Sequence, residues 1–144
     1  MAELRTVEQR LARQAYAATK RGRATHAPAR YILDAPPADL RQAIDPAVAA
    51  VFAVKIGDLR SPTRSSPRAA FARQVAMYLA HVVCGQSLTA VGTLFQRDRT
   101  TVAHACRLIE DARDDPGLDR LIEHLECAVA SLIDAFGSRC GLRQ

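Results

Sequence analysis

Apolar residues recur along this chain every three or four positions, the period of helices with one buried face, and few stretches show the two-residue alternation of strands. Leu4, Val7, Leu11 and Ala15 give residues 3 to 20 a thin helical stripe. Asp45-Pro46 predicts the next helix start, a capping carboxylate followed by proline at the first helical position, with Val48, Val51, Phe52 and Lys55 running to an end near Gly57. Ser66-Pro67 opens a longer helix. On it Phe71, Val75, Tyr78, Leu79 and Val82 share the core face, Arg73, Gln74, Met77 and His81 lie nearer the other side, and Gly85 closes it. Two short helices follow. Ser87 caps one carrying Leu88, Val91, Leu94 and Phe95; Gln96-Arg97 form a turn; Asp98 caps one carrying Val102, Cys106 and Ile109. After a break at Asp114-Asp115-Pro116, residues 117 to 136 carry a last stripe from Leu118, Leu121, Ile122, Leu125, Val129, Leu132, Ile133 and Phe136. The expected fold class is all-α.

A chain of 144 residues is long enough to bury a core without staples, and 49% hydrophobic with only 5% aromatic content agrees with helices. Gly22, Pro28, Pro36 and Pro37 mark a linker, which divides the chain into a basic N-terminal helix and linker (1–38), a central domain (39–115) and a C-terminal amphipathic helix and tail (116–144). The C-terminal stripe either packs on the central core or, being long for one small domain, makes a homodimer or protein-partner contact. Cys84, Cys106, Cys127 and Cys140 lack the paired spacing of a zinc site and read as reduced core thiols. No metal or other cofactor is expected. The charged start has no apolar leader core and no run reaches a membrane span, so the expected location is cytoplasmic, at the nucleoid, with no membrane partner.

Charge gives the polar face its meaning. Residues 57 to 107 hold seven arginines against Asp58 and Asp98, whereas 108 to 126 hold seven acids against Arg113 and Arg120. A chain of net charge +5 with its positive half segregated suits one-sided docking on a polyanion. Seven basic groups in residues 1 to 30 form an arm that either touches phosphates or is a solvated terminus. The outer face of the helix after Asp98 presents Arg99, Thr100, Thr101, His104 and Arg107, short hydrogen-bonding and basic groups suited to a DNA groove.

The segment VGTLFQRDRTTVAHACRLI resembles the signature of the C-terminal helix-turn-helix domain of the bacterial replication initiator DnaA, I-G-x-x-F-G-x-R-D-H-T-T-V-x-H-A. The likeness extends back through ARQVAMYLAH and covers roughly residues 45 to 115. It implies an all-α helix-turn-helix domain with flanking N- and C-terminal helices, standing alone. No G-x-x-x-x-G-K-[ST] loop is present, so neither ATP as a ligand nor an ATPase activity is expected, and the chain reads as a non-enzyme. The resemblance places Asp98, Arg99, Thr100, Thr101 and His104, at the reading end that begins with Arg97, against bases or phosphates. It places Arg73, Gln74 and His81 on the backbone. It sends a loop arginine, Arg64 as the best match with Arg60 or Arg68 as alternatives, into the minor groove. Asp98 is either a reader, an N-cap, or both. Two departures stand out: the turn is one residue shorter, and Arg99 replaces the histidine of R-D-H, favouring guanine in the major groove.

The expectation is a sequence-specific double-stranded DNA-binding protein that regulates replication initiation or transcription by site occupancy. A competing reading is a protein-interaction adaptor that keeps the helix-turn-helix as scaffold. A catalytic reading through Cys106 with His104 or His81 is weak, because residues two apart on a helix face different ways.

Overall fold

Among the described residues of the computed structural model six helices follow one another: α1 (Pro37–Phe52), α2 (Ile56–Arg60), α3 (Pro67–Val82), α4 (Leu88–Phe95), α5 (Arg99–Ala112) and α6 (Pro116–Cys140). The structure describes residues 37–140 except 64 and 65, without the side chains of 37–39 and 136–140. The helix and linker expected before residue 37, Arg64, and the side chains of Phe136 and Cys140 therefore lie outside the described residues.

The chain is organised around α3, which packs against α1, α2, α4 and α5. Ser66 Oγ accepts the Ala69 N–H at 3.2 Å and Pro67 occupies the first turn, so the helix starts where a serine-proline pair predicts. Ala69, Ala72, Ala76 and Ala80 are buried, and their small side chains let neighbouring helices approach closely. With partners on several sides α3 has little solvent face at its middle. Met77, expected toward the outside, is consequently only 2% exposed, while Phe71 and Val82 at the ends are half-buried. Beyond α3, Gly85 takes a left-handed φ of 65° while the Gln86 N–H returns to the Ala80 carbonyl.

The predicted helix start at Asp45-Pro46 is corrected by the structure. α1 begins at Pro37 and passes through both residues. Proline removes one helical hydrogen bond there, the one the Gln42 carbonyl would accept, and both Gln42 and Pro46 lie on the exposed face of the helix, where the loss costs least. Asp45 is no cap. It is fully buried and accepts from Arg41 Nε at 3.0 Å and Arg60 Nε at 2.8 Å. A partner fifteen residues away, invisible to local pattern, turns a capping residue into an interior ion pair.

α1 also ends earlier than expected. Ala53 adopts a left-handed φ of 52° and the Val54 N–H reaches back to the Ala49 carbonyl, which stops the helix at Phe52 and leaves Val51 42% exposed. A short helix, α2, follows in place of the expected continuation of α1 to Gly57, pinned by the buried Leu59. The last helix runs four residues past the predicted end, to Cys140. Its Leu118, Ile122, Leu125, Val129 and Ile133 join the same core cluster as α1 and α3, so the stripe packs on the domain's own core, with Leu132 turned outward. Cys127, expected in the core, is exposed, whereas Cys84 and Cys106 are buried.

Arg113, at the end of α5, joins three helices. It donates to Asp119 Oδ1 at 2.6 Å, Glu126 Oε1 at 2.6 Å and Tyr78 Oη at 2.9 Å. Burial opposes its charge, yet the hydrogen bond it donates to Asp119 and the contacts with Tyr78 and Glu126 prevail and hold its ionisation above the ordinary arginine range.

Candidate functional site

The site grows from α4, the turn and α5. Ser87 Oγ accepts the Ala90 N–H at 3.1 Å and fixes the start of α4, whose Val91, Gly92 and Phe95 are buried. At its far end Gln96 sits in the left-handed region, φ 55° and ψ 47°, and the Arg97 N–H closes on the Gly92 carbonyl at 2.8 Å. Gly92 is required by contact. A Cβ there would stand 2.6 Å from the Arg97 carbonyl oxygen, so any side chain would push the turn away.

α5 then buries Val102, Ala105, Cys106, Ile109 and Ala112. Its other face leaves Arg99, Thr100, Thr101, His104 and Arg107 exposed. Asp98 holds the N-cap position and its carbonyl accepts the Val102 N–H at 3.1 Å, but its side chain makes no capping hydrogen bond. Its carboxylate stands exposed beside the unsatisfied amides of the first turn of α5. An open groove of roughly 680 Å³ runs along this end, floored by Gly92, with Thr89, Thr93 and Gln96 on one wall and Arg97, Asp98, Arg99 and Thr101 on the other. Thr89 and Thr93 were not singled out from the sequence. Their four-residue spacing on the outer face of α4, around a glycine, is the signal that could have found them.

The remaining candidates separate by what they hold. Arg73 Nη2 and Nε donate to the carbonyls of Asp58 and Leu59 at 2.8 and 3.1 Å. Burial, and then the charges of Arg97 and Arg41, lower its ionisation below the ordinary arginine value. Arg97 Nη2 donates to the Ser61 carbonyl at 3.1 Å. Arg41 Nη1 donates to the Leu94 carbonyl at 3.3 Å, and its guanidinium lies 4.2 Å over the Phe95 ring. Gln74 is half-buried next to Arg73. His81 is also half-buried, with Nδ1 2.7 Å from the Gln86 carbonyl, where only a protonated nitrogen can make the bond, so Nε2 is the nitrogen left to meet a partner.

Nucleophilic chemistry finds no support here. Burial pushes the Cys84 thiol up to about 12, and burial with the nearby Glu110 does the same to Cys106, so neither is a thiolate near neutrality. Among the described residues no three His, Cys, Asp or Glu side chains gather as metal ligands, and no helix is long and apolar enough to cross a membrane.

Comparison with known proteins places this geometry. A family model described as the bacterial dnaA protein helix-turn-helix matches residues 42–109. The chromosomal replication initiator protein DnaA 1 of Protochlamydia amoebophila is 48% identical over 63 residues, 44% of this chain and 14% of that protein. The chromosomal replication initiator protein DnaA of Aquifex aeolicus is 42% identical over 79 residues, 54% of this chain and 19% of that protein. The chain thus spans no more than 19% of the length of either relative. A crystal structure described as a DNA replication initiation factor superposes with a TM-score of 0.59 at 36% identity, covering 67% of this chain and 30% of that one.

Proposed function

We propose, from the match of residues 42–109 to the bacterial dnaA protein helix-turn-helix family, that the protein binds double-stranded DNA sequence-specifically and regulates replication initiation or transcription, at the nucleoid, by occupying sites rather than by catalysis. The observation that carries this reading is the N-terminal end of α5. Arg99, Thr100, Thr101 and His104 are exposed together, and Asp98 keeps a carboxylate that no cap hydrogen bond consumes. In a helix-turn-helix this end of the second helix meets base edges. Each group has a base partner: the carboxylate accepts from cytosine N4, threonine methyls pack on thymine, and Arg99 donates two hydrogen bonds to guanine O6 and N7. Gln74 and the free Nε2 of His81 supply backbone contacts. Burial of Leu118, Ile122, Leu125, Val129 and Ile133 of α6 in the domain's own core favours this reading over the adaptor.

Site selection from random duplexes, run in parallel with wild type and Arg99→His, tests the reading. The selected motif should lose guanine at one position, and affinity for the wild-type site should fall by about 1 to 3 kcal/mol. With roughly five to seven phosphate contacts, log affinity against log salt should have a slope of about −4 to −6. Identical motifs would remove Arg99 from base reading, and a flat salt dependence would remove the phosphate contacts from the reading.

A further inference from the structure

Asp45 holds more positive charge than it needs. Its carboxylate is fully buried, and Arg41, one helical turn earlier, already places Nε 3.3 and 3.0 Å from its two oxygens, with only 14% of the Arg41 side chain exposed. The same guanidinium bonds the Leu94 carbonyl and covers the Phe95 ring, so it belongs to the interior. That pair meets the requirement that a buried charge be partnered. Arg60 is a second cation on the same carboxylate. Its Nε donates to Asp45 Oδ2 at 2.8 Å, yet 51% of its side chain is in water and its η nitrogens have no partner among the described residues. The end of α2 that carries it abuts the recognition elements: Ser61, next in the chain, accepts from Arg97 of the turn, and the Asp58 and Leu59 carbonyls accept from Arg73.

Resting on the DNA-binding reading above, we propose that Arg60 binds one phosphate of the duplex backbone and that Asp45 is the positioning residue that presents it. A guanidinium with Nε pinned in the core and its η pair outside is a fork fixed at its base, and two such N–H groups match the oxygens of a phosphate. Two guanidiniums on one carboxylate leave a positive charge uncancelled, which a phosphate neutralises. The tether decides against the minor-groove role that the sequence left open for Arg60. An arginine that enters a groove extends its whole side chain toward the bases, and one bonded through Nε to a buried carboxylate lacks that reach. Holding the fork before DNA arrives also lowers the ordering cost that long exposed side chains incur on binding.

The test couples residues to single phosphates. Duplexes carrying the selected site, each with one phosphate replaced by an uncharged methylphosphonate, are titrated with wild type, Arg60→Met and Asp45→Asn, after melting curves show each protein to be folded. With wild type, one replacement should weaken binding about tenfold, the factor for one charge-assisted hydrogen bond. With Arg60→Met that replacement should cost nothing while the others keep their effects, and the salt slope should flatten by about one unit. Asp45→Asn leaves Arg60 its charge but loosens the tether, so the same replacement should cost less than about threefold. An Asp45 that only stabilises the fold would leave the phosphate profile of wild type intact, and that result overturns the positioning role. Should Asp45→Asn not fold, Arg60→Lys gives the same readout, because lysine keeps the charge and lacks the fork. The absence of any phosphate coupled to Arg60 overturns the contact, and an altered preference between A·T and G·C pairs in its place returns Arg60 to the minor groove. If wild type binds no duplex, the DNA-binding reading fails; if it binds with a profile that Arg60→Met leaves unchanged, only the present proposal fails.

Discussion

The two ends of the domain hold charge in opposite ways. At the α1–α2 end one buried carboxylate, Asp45, faces Arg41 and Arg60, while Arg73 and Arg97 close by bond backbone carbonyls. At the α5–α6 end one arginine, Arg113, only 9% exposed, is surrounded by Asp119, Glu126 and the phenol of Tyr78. The second cluster is complete within the protein. The first has more cations than carboxylates, and a carbonyl satisfies a guanidinium's hydrogen bonds without cancelling its charge. That residual field is what a polyanion can neutralise. If the proposed function holds, one cluster is scaffold and the other is scaffold that also carries a functional charge, and substitutions should separate the two roles.

The largest effect should come from alkali, which attacks the Arg113 side and the core behind it. Burial raises the Tyr78 phenol above its ordinary value, and it raises the Cys84 and Cys106 thiols to about 12. The unfolded chain releases these thiol protons near its ordinary value of 9, whereas the folded chain holds them to about 12. Their contribution is therefore complete below pH 9 and is lost as pH rises toward 12. Through that window stability should drop by about 1.4 kcal/mol per pH unit for each thiol. Denaturant melts at stepped pH provide the check. A Cys84→Ala/Cys106→Ala variant starts less stable but should show a much flatter dependence, leaving the Tyr78 part.

Next in size is Arg113→Met. Two carboxylates and a phenol lose their common donor, for a loss of about 3 kcal/mol, since Asp119 and Glu126 are partly exposed and can turn to water. Duplex affinity, measured well below the melting point, should not change. A shift in affinity without unfolding would break the division between the ends. Asp45→Asn should cost less, about 2 kcal/mol, because asparagine keeps an acceptor and Arg60 is half-exposed. Here the DNA readout should move. Removing the carboxylate bonded to Arg41 and Arg60 adds a positive charge, so binding to unrelated duplexes should tighten at low salt and the salt slope steepen by about one unit. Discrimination between a selected site and a random duplex should fall, because α2 loses an anchor. Unaltered salt dependence would place both clusters in the same purely structural role.

This contrast was only half legible in the sequence. The segregation of arginines and acids is countable, and helix starts were readable wherever a cap acts locally, as at Ser66 and Ser87. The exposure of candidates such as Thr100 and His104 is legible by periodicity, which reports which face a side chain is on. Partners are another matter. Asp45 read as a cap because one of its donors, Arg60, lies in another helix, and the carbonyl that Arg97 bonds leaves no trace in sequence. Met77 misled for a related reason: a helical stripe marks one buried face, and α3 is covered on several sides. Helix ends failed where the stop is a left-handed residue other than glycine, as at Ala53.

Those left-handed residues give the smallest and most discriminating test, because one lies at each kind of site. Ala53, φ 52°, ends α1, and Gln96, φ 55°, forms the turn and rims the groove. A side chain in this region strains the backbone, whereas glycine does not, so Ala53→Gly and Gln96→Gly should each stabilise the fold, by about 0.5 to 1 kcal/mol after the greater freedom of the unfolded chain is subtracted. Their effects on DNA should differ. Ala53→Gly removes only a methyl group away from the groove and should leave affinity and selected motif alone. Gln96→Gly removes an amide from the groove wall, so it should weaken binding slightly while raising the melting temperature, a trade expected where a strained residue also serves a site. If Gln96→Gly stabilises the fold with no change in affinity or motif, the glutamine serves only as a tolerated helix stop and the groove wall at that point has no part in recognition. If it destabilises, the left-handed turn is held by contacts of the Gln96 side chain, and the shortened turn, rather than Arg99 alone, becomes a second source of altered specificity.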